Sequence, residues 1–278
     1  MPFPFEPANQ KFSIKNALGS ALAAQLAYAK PSEIEAKAKG EWGFQEVKNY
    51  TTPPPSLEDT QAFVAIRNDM VLVAFRGTEP DNIKDWLTDG NVALVPSPMG
   101  HLHAGFLRAF NTVGPRMLTD LRNDPNIAGK PLWLTGHSLG AALSTIMAAS
   151  CANAGLAIAG HYNFGSPRVG DSSFTSFYNE RCAPVTFRFV NNNDIVPRVP
   201  PRGLTYDHVD FKRYLDRHCR LVTDLRVLNL LLDSFEGSLL GLRKLFDQIT
   251  QLKQEKLPLP DLIEDHLIAN YISCIQKN

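Results

Sequence analysis

At 278 residues the chain can form one large domain, or two small ones, around a sizeable core. Its 44% apolar and 20% charged content is ordinary for a globular protein. Lys+Arg and Asp+Glu total 28 each, so no general electrostatic pull toward nucleic acid or an anionic membrane is implied. The N-terminus, MPFPFEPANQKF, has no basic start followed by an apolar stretch, and runs such as VLNLLL (Val227 to Leu232) are too short to span a bilayer. The reading is a soluble, cytoplasmic protein without a transmembrane segment. Four scattered cysteines, Cys151, Cys182, Cys219 and Cys274, are then expected as reduced thiols.

In chain order, Ile14, Leu18, Leu22 and Leu26 recur every fourth residue, which predicts an amphipathic helix stopped by Pro31. Ser32 with Glu35 resembles a capping box that opens a short second helix ending near Gly40. TTPPPS (51–56) is a stiff loop, and QAFVAIR and MVLVAFR, separated by Asn68 and Asp69, read as a hairpin. His101 and His103 lack the Cys or acidic neighbours of a metal site. From Leu132 strands and helices alternate: LWLT, a helix over 139–153, IAGHYNF, a helix near 172–180, then VTFRFV. That alternation predicts a single α/β domain with a mostly parallel sheet and helices on both faces.

KPLWLTGHSLGAALS holds a glycine two positions either side of Ser138, at 136 and 140. A nucleophilic serine on a strand-to-helix elbow needs a strained backbone and small neighbours, and Ala141 and Ala142 let the new helix lie close to the sheet. The amide of Leu139, at the helix N-terminus, is aimed where an oxyanion would form. In this arrangement the acid and then the histidine follow the serine, which excludes His101, His103 and His137 as the base. Asp194, just past the apolar strand VTFRFV and stiffened from behind by Pro197 and Pro200, is the candidate acid. Asp171, after Gly170, is better explained as a helix N-cap. His208 sits in YDHVDFKRYL, read as the last strand. Periodicity leaves His218 and His266, the latter opening the amphipathic DHLIANYI, as the remaining candidates for the base.

The chain resembles the class 3, fungal-type triacylglycerol lipase family of α/β-hydrolases through VLVAFRGTE, IKDWLTD, HAGFLRAF, LTGHSLGAALS, NFGSPRVGD, NNNDIVPRVPP and DHLIANYI. The resemblance spans about residues 10 to 275 and implies Ser138 as nucleophile, Asp194 as orienting acid and His266 as base. It also implies Thr78, in FRGT, as a second oxyanion donor beside Leu139. Within HAGF, His103 is read as loop structure.

After Thr78, EPDNIKDWLTD can form a short helix with Ile83, Trp86 and Leu87 on one face. That face is either ordinary core or a lid, assigned to 79–98, whose apolar side turns onto lipid when open. Between 219 and 260 an insert carries a heptad-like stripe of Leu225, Leu228, Leu232, Phe235, Leu239, Leu242, Phe246 and Ile249. It reads as helices packed on the sheet, a second cap, or a docking surface. The whole is expected to be a serine hydrolase that cleaves carboxylic esters, most of all acylglycerols, through an acyl-serine intermediate and needs no metal or organic cofactor, with a lipid or small ester as substrate and no nucleic-acid partner. A phospholipase A1, a soluble-ester esterase and a catalytically silent lipid-binding protein are the alternatives.

Overall fold

The computed structural model describes residues 2–53, 60–77, 92–200, 205–209, 212–222 and 261–278. Thr78, Ile83, Trp86, Leu87 and the insert stripe lie outside them.

Helices α1 (Ile14–Leu26) and α2 (Pro31–Gly40) lead into three strands, β1 (Glu46–Thr51), β2 (Gln61–Arg67) and β3 (Met70–Phe75). The expected hairpin is β2–β3, with Arg67 opposite Met70 across Asn68 and Asp69. Next come β4 (Leu94–Ser97), β5 (Gly100–His103), α3 (Ala104–Asn123), β6 (Leu132–His137) and α4 (Leu139–Asn153). They are followed by β7 (Gly160–Phe164), β8 (Gly170–Asp171), α5 (Ser172–Cys182) and β9 (Thr186–Asn191). The described chain then runs through β10 (Tyr206–Asp207), β11 (Lys212–Leu215), β12 (Leu221–Val222), α6 (Asp261–Glu264) and α7 (Ile268–Ile275).

Eight strands form one sheet in the order β1-β2-β3-β6-β7-β9-β11-β12, with β3, β6, β7, β9 and β11 mutually parallel. This is the α/β-hydrolase architecture, and it puts the carboxyl ends of those five strands along one edge. Alternation along each strand divides the core between the two faces. Val64, Ile66, Val71, Val73, Phe75, Leu132 and Leu134 pack with α3, α4 and α5. Phe63, Ala65, Met70, Leu72, Ala74 and Trp133 pack with α1, α2 and α7. Because both faces are covered, β3, β6, β7 and β9 are buried at every position, which is why they read as continuous apolar runs. A second sheet, β10-β8-β5-β4, includes residues 94–97, so the end of the region assigned to a lid is strand.

Several local expectations change. The fully buried face of α1 is Ala17, Ala21 and Ala24, with the leucines half-buried at its flanks. The helix lies so close to β6 that Thr135 Oγ1 donates to Ser20 O at 3.0 Å, and only small side chains fit between them. Helix α2 begins at Pro31, which opens rather than stops a helix, and Glu33 reaches back to the Lys30 amide at 3.2 Å. Asp171 caps α5, accepting from Ser173 N and Phe174 N. His208 is half-buried, its ring donating to Pro197 O. Cys219 and Cys274 form a disulfide, correcting the expectation of four reduced thiols. No spacing signals it, since the pair meets only where the turn after β11 reaches α7. Cys151 and Cys182 are free and buried, and burial pushes their thiols up to about 12 and about 11.

Behind the sheet edge, His161 bridges Ser144 Oγ (2.8 Å) and Tyr178 Oη (2.6 Å), which in turn meets Thr186 Oγ1 (2.9 Å). Four elements, α4, β7, α5 and β9, share this network. Burial holds the His161 imidazole down to about 3, against about 6.5 unfolded. Between those values the unfolded chain binds the extra proton, so stability falls as pH drops through the window. Denaturant unfolding should therefore lose about 2 kcal/mol from this side chain between pH 6.5 and 5. His161→Gln should flatten the slope by that amount, and an unchanged slope would refute the assignment.

Candidate active site

The elbow follows from its neighbours. Strand β6 ends at His137, α4 begins at Leu139, and Ser138 between them takes φ 58°, ψ −128°. A Cβ on Gly136 would stand 2.1 Å from the Gly140 carbonyl oxygen, and one on Gly140 would stand 2.3 Å from that of Phe75. Both obstacles are backbone and cannot swing aside, so glycine is required at each position. Ser138 O accepts from Ala141 N (3.0 Å) and Ala142 N (3.3 Å). The Leu139 amide is left among the first-turn donors that a helix does not satisfy internally. Gly77, the last described residue before Thr78, has no room for a side chain either, since its Cβ would lie 2.5 Å from His137 O.

Asp194 follows β9 and is completely buried. A buried carboxylate needs donors on its oxygens. Val196 N donates to Oδ1 at 2.9 Å, Tyr271 Oη donates to Oδ2 at 2.6 Å, and His266 Nδ1 lies 2.9 Å from both oxygens. Burial first, and the Asp194 charge second, raise the Tyr271 phenol well above its ordinary range, so it stays a donor. Because the carboxylate only accepts, His266 carries its proton on Nδ1 and presents Nε2 as a bare acceptor. That nitrogen is buried and has no hydrogen-bond partner among the described residues. It is the one unspent valence of the cluster.

Two further contacts anchor the backbone of His266 through His137. His137 Nε2 meets His266 O at 2.6 Å, and its Nδ1 meets Tyr28 Oη at 2.8 Å. A carbonyl only accepts, so His137 is the Nε2–H tautomer and takes the Tyr28 proton. Burial, reinforced by His266, keeps it neutral. Gly165, at φ +59°, backs the acid–histidine pair: its Cβ would come 2.8 Å from Asp194 Oδ2 and 2.9 Å from His266 Nδ1. Ser138 N donates to Phe164 O, the residue before Gly165, at 3.0 Å. Ser138, Leu139, Asp194 and His266 thus converge on one sheet edge. His218 does not join them, being on the exposed turn after β11, where it accepts from Arg217. His103 Nδ1 caps α3, and His101 pairs with Asp171. The sequence reading missed Tyr28, His137, Gly165 and Tyr271. Only His137 carried a local signal, since it closes the buried run of β6.

Residues 72–204 match the family model described as Lipase (class 3). Over that span, just under half of the chain, the sequence is similar to the class 3 lipases. The matched span contains Ser138 and Asp194 but stops short of His266. Relatives in this family include a secreted mono- and diacylglycerol lipase of Penicillium cyclopium, 29% identical over 172 residues, covering 58% of this chain and 53% of the relative. A triacylglycerol lipase of Ricinus communis is 27% identical over 269 residues, covering 73% and 51%. The chain spans about half the length of the curated relatives it matches. Among solved structures, a mono- and diacylglycerol lipase of Aspergillus oryzae shares the fold, with a TM-score of 0.65 at 19% identity over 84% of this chain and 95% of that one. Family members from Penicillium, Fusarium solani and Malassezia globosa are named as secreted lipases, which overturns the expected cytoplasmic location. Among the described residues, no helix is long and apolar enough to cross a membrane.

Gly165→Ala should leave the fold assembled while displacing the Asp194–His266 pair, and any ester hydrolysis that depends on that pair should fall on the order of 100-fold. Hydrolysis rates and a thermal melt of the same preparation test this. Wild-type turnover in the variant would contradict it.

Proposed function

We propose that this chain is a class 3 lipase-type carboxylic ester hydrolase acting on acylglycerols through an acyl-serine intermediate. The observation that carries the reading is the bare, buried Nε2 of His266, fixed by Asp194 on the edge that presents Ser138. In this account Nε2 takes the Ser138 Oγ proton as the oxygen attacks the ester carbonyl, and Asp194 stabilises the imidazolium that results. The carbonyl oxygen becomes an alkoxide, received by the Leu139 amide and by Thr78; each such donor lowers the barrier by about 2.7–4 kcal/mol. Collapse expels the alcohol with the proton from Nε2, leaving an ester on Ser138. Water then repeats the sequence, with His266 again as base. Proton transfer and fixed dipoles carry every step.

Ile83, Trp86 and Leu87 are proposed as the apolar face of a lid. Exposing each in water costs roughly 1.5–3 kcal/mol, which a lipid surface offsets, so opening is favoured at a lipid–water interface. A phospholipase A1 reading is favoured by one observation: a relative in Oryza sativa so named is 30% identical over 165 residues, covering 48% of this chain and 40% of that protein. A silent lipid-binding role has no use for a desolvated imidazole nitrogen on the sheet edge that carries a strained serine.

A fluorophosphonate probe should label Ser138, and Ser138→Ala or His266→Ala should lower hydrolysis by at least about 1,000-fold while His218→Ala does not. Loss on His218→Ala with retention in His266→Ala would sink the assignment. Parallel assays on triglyceride, diglyceride and phosphatidylcholine separate acylglycerol from phospholipid hydrolysis.

A further inference from the structure

The run NNND, residues 191–194, contributes only its last residue to the proposed triad. The three asparagines are engaged one after another with Asp265, the neighbour of His266. Asn191 Nδ2 donates to Asp265 O at 2.9 Å. Asn192 Nδ2 donates to Asp265 Oδ2 at 2.9 Å, and Asn193 N donates to the same oxygen at 3.1 Å. Asp194 then receives His266 Nδ1. Asn192 holds a left-handed backbone, φ 37°, which asparagine tolerates better than most residues. Its own amide is fixed on Leu215 O at 2.7 Å, so the loop is anchored to β11 before it reaches Asp265.

We infer that Asp265 is a positioning residue for the proposed base: the loop 191–193 grips it by side chain and backbone and so sets where the His266 ring meets Asp194. This rests on the triad reading above. The two segments are about 70 residues apart in the chain, with the pair Asp194–His266 separated by 72. The His137 bond to His266 O and the contacts with Asp194 hold the histidine itself; the clamp on Asp265 adds the hold on the residue just before it. Both side-chain-directed bonds land on one oxygen, Oδ2, so an amide oxygen in that place can accept them equally well.

Four variants, assayed as the full chain on a short-chain nitrophenyl ester with thermal melts alongside, decide the matter. Asp265→Ala should lower kcat roughly 10- to 100-fold with KM little changed, because a misplaced base impairs chemistry and not substrate binding. Asn192→Asp should do the same by setting a second carboxylate against Asp265. Asp265→Asn should recover kcat to within about threefold of wild type. The double variant Asn192→Asp with Asp265→Asn, which exchanges the partners, should recover part of what Asn192→Asp loses, because the swapped amide regains the bond to residue 192 but gives up the one from Asn193 N. Wild-type kcat in Asp265→Ala, or Asp265→Asn as impaired as Asp265→Ala, would overturn the inference. Should Asp265→Ala fail to fold, Asn192→Asp against the double variant gives the same decision. His266→Ala is run in parallel: its inactivity, with Asp265→Ala fully active, breaks this inference alone. An active His266→Ala breaks the triad reading, and this inference with it.

Discussion

A carboxylate with no exposure to water, Asp194, is the constraint around which the site is organised. An ionised carboxyl in a protein interior is tolerated only when its oxygens are fully supplied with donors. Here the donors come from three places: the Val196 amide just beyond it, the Tyr271 phenol on α7, and the His266 imidazole before α7. Each lies within hydrogen-bond reach only if β9, its loop and the final helix are docked together. The charge therefore specifies the tertiary arrangement as much as it serves any chemistry, and one group sets both the His266 tautomer and the seat of α7.

A second constraint is steric and comes from the parallel sheet. Five strands end along one edge, and two glycines let the chain reverse there without colliding with the backbone of β3 or α4. The consequence is a serine in a sparsely populated conformation at a helix N-terminus, where unpaired amides and the helix dipole favour negative charge. Behind that edge the polar residues are paired inward. His137 joins Tyr28 to the backbone of His266, and His161 joins α4 to α5 and β9. The disulfide Cys219–Cys274 ties the turn after β11 to α7, the helix that carries Tyr271.

The parts legible in the sequence were those with a local physical signature. Strand–helix alternation predicted the parallel sheet, the flanking glycines predicted the elbow, and an apolar strand followed by a polar loop marked Asp194. What was not legible depends on approach across the fold. His218 and His266 stand level by periodicity; the resemblance carried by DHLIANYI pointed to His266, and the packing of α7 puts that ring against Asp194 while His218 lies in solvent. The disulfide, the roles of Tyr28 and Tyr271, and the grip of NNND on Asp265 all join segments far apart in the chain. The leucines of α1 misled for a related reason: spacing located the apolar stripe, but the close approach of that helix to β6 selected alanine for the contact itself.

The most direct measurement is the protonation of the His266 ring, read from imidazole nitrogen and proton resonances of the chain labelled at histidine and assigned with His266→Gln. The account requires, at neutral pH, a proton on Nδ1 with the downfield shift of a short bond to a carboxylate, and an unprotonated Nε2. It further requires that this resonance vanish in Asp194→Ala. A neutral His266 protonated on Nε2 would contradict it, because that nitrogen could no longer accept a proton from Ser138.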